Sequence, residues 1–120
     1  MPGDFAICRW PAGTTLPDWV NEGAFTSVTR SPTELSAVCA AASVPAGTAC
    51  EGPWRILAVR GPLNFALTGI MASLATPLAD AVVSLFAIST YDTDYLLVRA
   101  SDLDRAAEAL RGAGHGVFGA

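Results

Sequence analysis

The chain contains no lysine. Its seven basic residues are all arginine and are outnumbered by eleven acidic ones, giving a net charge of -4 over 120 residues. No broad positive field exists to attract a phosphate backbone, so nucleic acid is not an expected partner. Long apolar runs are missing as well. None approaches the roughly 18–20 residues of a helical membrane span, and the start Met1-Pro2-Gly3-Asp4 lacks the basic segment that opens a secretory signal. The expectation is a cytoplasmic protein without a membrane partner. Metal ligands are scarce: His115 is the single histidine, and Cys8, Cys39 and Cys50 form no C-x-x-C pair. A zinc site normally draws four ligands from Cys, His or carboxylate, so neither a metal nor another cofactor is expected. Cys8 and Cys39 lie in apolar segments and read as buried thiols. Cys50 lies in a glycine-rich link and reads as exposed, with nothing nearby to activate it.

What the chain has is apolar bulk. Hydrophobic residues make up 52% of it, enough for a packed core in one ordinary domain or two very small ones. The stretch from Trp54 to Ala100 organises the rest. Within it, two apolar, β-branched segments flank Tyr91-Asp92-Thr93-Asp94, whose short polar side chains favour a chain reversal, so residues 86–98 read as a β-hairpin. Upstream, residues 54–60 alternate as a strand, Gly61 and Pro62 break it, and a helix is expected from about Asn64 to Ala75. Its apolar face is Leu67, Ile70, Met71, Leu74 and Leu78, and Pro77 should end or kink it. A strand over residues 82–88 pairs with one over 95–98. Ser101 is a candidate N-cap for a second helix with a buried stripe of Leu103, Ala106, Ala107 and Leu110. His115–Phe118 can supply a last, edge strand.

The N-terminal part offers less. Residues 5–9 read as a strand, and Leu16–Val20 as one or two helical turns starting at Pro17. Residues 25–30 and 35–39 form a second hairpin around Ser31-Pro32-Thr33-Glu34. The two hairpins form a faint repeat, each turn carrying a hydroxyl and a carboxylate: Thr33 and Glu34 in one, Thr93 and Asp94 in the other. Residues 40–53 read as a connector. The predicted fold class is α+β: a ferredoxin-like βαββαβ unit with an antiparallel sheet over residues 51–120, preceded by an abbreviated βαββ unit over residues 1–50.

Candidate chemistry concentrates in two places. Residues 61–70 lead into a helix whose first N–H groups have no intrahelical acceptor, which suits a carboxylate. Gly69 there serves either close approach of a ligand or tight helix packing. Asp92 and Asp94, near Thr90 and Thr93, could hold an ammonium group or build the turn. As an acid/base dyad they lack a nucleophile or a second histidine, and His115 reads as a surface residue. No triad, metal cluster or cofactor fingerprint is present, and the chain is not read as an enzyme.

The segments Gly61–Ile70, Pro77–Ala81 and Ser89–Val98 resemble those of small bacterial ACT-domain proteins related to the arginine sensor CASTOR and to the regulatory ACT domains of aspartate kinase. Leu16–Trp19, Phe25–Val28 and Glu34–Cys39 look like that family's abbreviated first unit. The resemblance implies a non-catalytic, amino-acid-binding regulatory protein, active as a homodimer, with ligand held between adjacent units and an unidentified protein as regulated partner. It places the ligand carboxylate at Leu67, Thr68, Gly69 and Ile70. The other end of the ligand falls near Thr90, Tyr91 and Asp94, with Ser84 and Leu85 on a facing strand of a neighbouring unit. Leu67 stands where the arginine sensor has an acidic residue, so an apolar or small amino acid fits better than arginine. The alternative is a ligand-free module that regulates a partner through its sheet edges.

Overall fold

A computed structural model describes residues 1–59 and 69–118. Two compact units emerge, an N-terminal one of Gly3–Trp54 and a C-terminal one of Arg55 onward together with Met1 and Pro2. The strands are β1 (Phe5–Pro11), β2 (Ser27–Arg30), β3 (Glu34–Ala40), β4 (Cys50–Ala58), β5 (Leu85–Ser89) and β6 (Asp94–Arg99). The helices are α1 (Ile70–Asp80) and α2 (Leu103–Gly112). Three 3-10 turns, Asp18–Asn21, Ala41–Ser43 and Ala100–Asp102, complete the regular structure among the described residues.

In the N-terminal unit the strand order is β2-β3-β1-β4, and β1 pairs antiparallel with both β3 and β4. One sheet face buries Ala6, Cys8, Ala37 and Cys39 with Val20 from the first 3-10 turn. Trp10 and Trp19 close that cluster, their rings 5.8 Å apart. The expected short helix at Pro17 is therefore real, but tight and four residues long. β4 starts at Cys50, before the expected Trp54, because its first residues extend the ladder to β1.

The C-terminal unit has strand order β4-β6-β5. Its core joins Leu74 and Leu78 of α1, Leu103, Ala106 and Leu110 of α2, and Leu96 and Val98 of β6. Alternate strand residues share a face, so both helices cover the face carrying residues 94, 96 and 98. Both helical stripes expected from the sequence are thus found where they are described. α2 is preceded by the 3-10 turn, and Asp102, not Ser101, stands at its N-cap without a side-chain cap bond. Asp102 instead pairs with Arg105 one turn on, at 3.0 Å.

Two further expectations need adjustment. Of the end or kink expected at Pro77, the end is not found, and α1 continues to Asp80. Proline removes the N–H that would bond the carbonyl four residues back, here that of Ser73. His115 replaces it: its Nε2 lies 3.0 Å from the Ser73 carbonyl oxygen, an acceptor only, so Nε2 is the protonated nitrogen. The helix then ends in a Schellman motif, with Val83 N–H bonding Leu78 O at 2.9 Å and Val82 N–H bonding Ala79 O at 3.0 Å. Val82 occupies the left-handed position of that motif, at φ 58°, and so β5 begins only at Leu85. His115–Phe118 forms no strand. Arg111 takes the Val117 carbonyl at 2.9 Å, and His115 N–H bonds Leu110 O at 3.0 Å, which commits that segment to following α2.

Candidate functional site

α1 opens on Gly69, whose φ of 83° lies in the left-handed region, and among the described residues no side chain caps the helix. Among those residues a Cβ at Gly69 would meet nothing within 4 Å. The glycine is required by its backbone angle and not by tight packing. Ser73 N–H makes the first intrahelical bond, to Gly69 O at 2.8 Å. The amides of Ile70, Met71 and Ala72 therefore have no intrahelical acceptor, and the first turn carries no acidic residue. Leu67 and Thr68 lie outside the described residues.

The second element is the hairpin turn. Thr90 N–H bonds Thr93 O at 2.8 Å, while the Thr90 hydroxyl donates to Thr93 O at 3.0 Å and accepts from Thr93 N–H at 3.2 Å. Thr90, expected at a ligand, thus has a structural task as well. The turn is closed by its hydroxyl and not by the Asx cap considered for Asp92. Tyr91, at the tip, is 82% exposed.

Topology relates these elements. Val59 N–H bonds Asp94 O at 2.8 Å, so β4 leaves the sheet at the end occupied by the hairpin turn. α1 returns from that end, since it finishes beside the start of β5, which pairs with the far end of β6 through Leu85 and Val98. The His115 contact to Ser73, made after α2 has run back toward the turn, fixes the same direction. Asp94 shares the face of Leu96 and Val98, under the helices. The structure brings Gly69, Ile70, Thr90, Tyr91 and Asp94 to one end of the sheet. Ser84 and Leu85 lie at the other, about 16 Å away for five residues of extended chain.

Sequence reasoning missed the free side of β5. The strand ends the strand order. Thr90 and Thr93 form a hydrogen-bonded pair, and such pairs recur every second residue. The backbone groups of Phe86 and Ile88 therefore face β6, while those of Leu85, Ala87 and Ser89 face outward, with no neighbouring strand among the described residues. The signal was available in five consecutive uncharged residues.

A family model for the ACT domain matches residues 49–112, 64 of the 120 residues. The chain belongs to the ACT-domain family. A second model, for an N-terminal domain, matches residues 3–47. The chain is 41% identical over 58 residues to the bovine (Bos taurus) cytosolic arginine sensor for mTORC1 subunit 1. That match covers 44% of this chain and 18% of the relative, so the chain spans less than a fifth of that protein's length. Over nearly its whole length the ACT protein is similar to a crystal structure from Agrobacterium tumefaciens, with 37% identity, 97% of this chain and 87% of that one covered, and a TM-score of 0.91. A Vibrio cholerae protein of unknown function, described as a possible transport protein, shares the fold at 24% identity and a TM-score of 0.78, over 96% of this chain and 87% of that one. Among the described residues no helix is long and apolar enough to cross a membrane.

Proposed function

We propose that this ACT protein is a non-catalytic, cytoplasmic amino-acid sensor that binds its ligand between two copies of the chain. The observation that carries the reading is that the uncapped start of α1 and Asp94 occupy the same end and the same face of the sheet. Free amides suit the carboxylate of a zwitterion and the aspartate suits its ammonium. Kinship with a protein named as a cytosolic arginine sensor supports an amino acid as ligand. By the family resemblance Leu67, which lies outside the described residues, favours an apolar or small one. In this reading residues 51–120 are the complete ACT domain and residues 1–50 its abbreviated companion.

The outward groups of β5 support a homodimer. A two-fold antiparallel pairing centred on Ala87 sets Leu85 of one copy against Ser89 of the other, with every outward N–H and C=O matched. Leu85 of one copy then lies about 10 Å, two strand spacings, from Asp94 of the other. Ser84 and Leu85, remote from the site within one chain, would so join it from the second.

The test is thermal unfolding against each of the twenty amino acids. A ligand at 100 times its Kd should add about 2.7 kcal/mol, and Asp94→Ala should remove the shift while the protein stays folded. A shift that survives in Asp94→Ala moves the site elsewhere. No shift with any amino acid favours a ligand-free module that regulates a protein partner through its sheet edges.

A further inference from the structure

The three cysteines, far apart in sequence, converge in the N-terminal unit. Cys8 lies on β1, directly opposite Cys50 of β4 and diagonal to Cys39 of β3. The Sγ atoms of Cys8 and Cys39 are 3.9 Å apart, and the Cys50 thiol is near enough to add to the upward shift of the Cys8 thiol. Cys8 and Cys39 are buried and Cys50 is exposed. Burial, reinforced by the neighbouring Cys39 and Cys50 thiols, pushes the Cys8 thiol up to about 12. Among the described residues no group of three or more His, Cys, Asp or Glu side chains is placed to hold a metal ion, which leaves thiol chemistry.

Strand register decides which pair can bond. Arg9 N–H bonds Ala49 O at 3.0 Å, so Arg9 and Ala49 form a hydrogen-bonded pair and the adjacent Cys8 and Cys50 a non-hydrogen-bonded one. Cα atoms in such pairs are about 4.5 Å apart, inside the roughly 4.4–6.8 Å span of a disulfide. Cys39 is opposite Ala6, and Cys8 is opposite Ala37. Diagonal neighbours sit about 7–8 Å apart, somewhat less between their Cβ atoms, against about 3.8 Å between Cβ atoms across a disulfide. The Cys8–Cys39 contact therefore suits two thiols and not a bond.

We propose that Cys50 and Cys8 form an oxidation site for hydroperoxides, in which Cys50 is oxidised first and Cys8 resolves it to an intrachain disulfide. The Cys50 thiolate attacks the terminal peroxide oxygen; an S–O bond forms, the O–O bond breaks, and water or an alcohol leaves. The Cys8 sulfur then attacks the Cys50 sulfenic acid. The S–S bond forms, the S–O bond breaks, and the hydroxide leaves as water with the Cys8 proton. Two thiols lose two electrons to one hydroperoxide. The product ties β1 to β4 around everything from Arg9 to Ala49, and in a reducing compartment it is a reversible mark.

The full chain is treated with hydrogen peroxide, its remaining thiols are alkylated under denaturing conditions, and its peptides are mapped by mass spectrometry. The expected result is a Cys8–Cys50 link with Cys39 alkylated, so that free thiols fall from three to one. Cys50→Ser should abolish the disulfide. Cys8→Ser should instead accumulate a sulfenic acid at Cys50, trapped by dimedone, and Cys39→Ser should form the link within about twofold of the parent rate. A Cys8–Cys39 link, a predominant Cys50–Cys50 link between chains, or an unoxidised Cys50 would overturn the proposal. So would a Cys8→Ser protein that yields no more trapped sulfenic acid than the parent.

Discussion

The two hairpins are built alike and finished differently. In the first, Ser31 N–H bonds Glu34 O at 2.9 Å, and the Ser31 hydroxyl contacts Glu34 O at 3.2 Å while accepting from Glu34 N–H at 3.2 Å and Thr33 N–H at 3.3 Å. Thr90 closes the second turn in the same way. The repeat thus aligns Ser31 with Thr90 and Glu34 with Thr93, an offset of 59, one residue away from the match of Thr33 with Thr93 drawn on sequence. That single step matters, because adjacent strand residues face opposite sides. Asp94 now corresponds to Leu35, which is 0% exposed, while Glu34 faces the other way and pairs with Arg9 at 3.7 Å. One copy of the motif spends this position on packing; the other holds a carboxylate there, below a helix start. The outer strands differ too. β2 is four residues long and ends in Arg30, which reaches Thr14 O at 3.1 Å, whereas β5 is longer and uncharged. Short length and charge protect an edge from pairing, so among the described residues β2 is a protected edge and β5 lacks that protection.

Exchanging the corresponding residues is the harshest way to break this comparison. Leu35→Asp should cost about 4 kcal/mol or more in urea unfolding, since it loses apolar burial and buries a charge without a partner, while Asp94→Leu should change stability by less than about 1 kcal/mol. The edges come next. Ala87→Pro deletes an outward N–H without touching a bond to β6, and should weaken self-association at least about 100-fold in sedimentation, or about 2.7 kcal/mol. Val28→Pro, the corresponding outward position on β2, should leave association unchanged. Equal effects from the two prolines would dismiss the contrast between edges.

Alkali should weaken the N-terminal unit through Cys8. The Cys8 thiol is raised from about 9 in the unfolded chain to about 12 in the folded one, so the folded state holds its proton longer. The resulting stabilisation is complete below pH 9 and lost as pH rises toward 12. Cys8→Ala should flatten that fall in a pH series of denaturation midpoints. Smallest are the turn hydroxyls: Ser31→Ala and Thr90→Ala should each cost about 1 kcal/mol and agree within about 0.5 kcal/mol, as matching bonds require.

Local patterns were legible wherever neighbours in sequence are also neighbours in space. Both hairpins, the stripe of α2 and the burial of Cys8 and Cys39 follow from alternation, turn chemistry and helical spacing. Long-range contacts hid the rest. Nothing near Pro77 announces that His115 will satisfy Ser73, and nothing near Cys50 shows that β4 must start early to pair with β1. The strand expected at His115–Phe118 failed because Arg111 claims its carbonyl. Of the candidate site, the acidic turn was readable, whereas Gly69, expected inside a helix from Asn64, is the N-cap of α1. Their shared face and the outward side of β5 required the register.

The His115 contact also bears on the order in which the chain is made. The donor that completes α1 lies 42 residues downstream of the carbonyl it satisfies. At roughly 5–20 residues per second of synthesis, that separation is about 2–8 s. During that interval the nascent helix carries the gap at Pro77, and α1 matures only once His115 has left the ribosome.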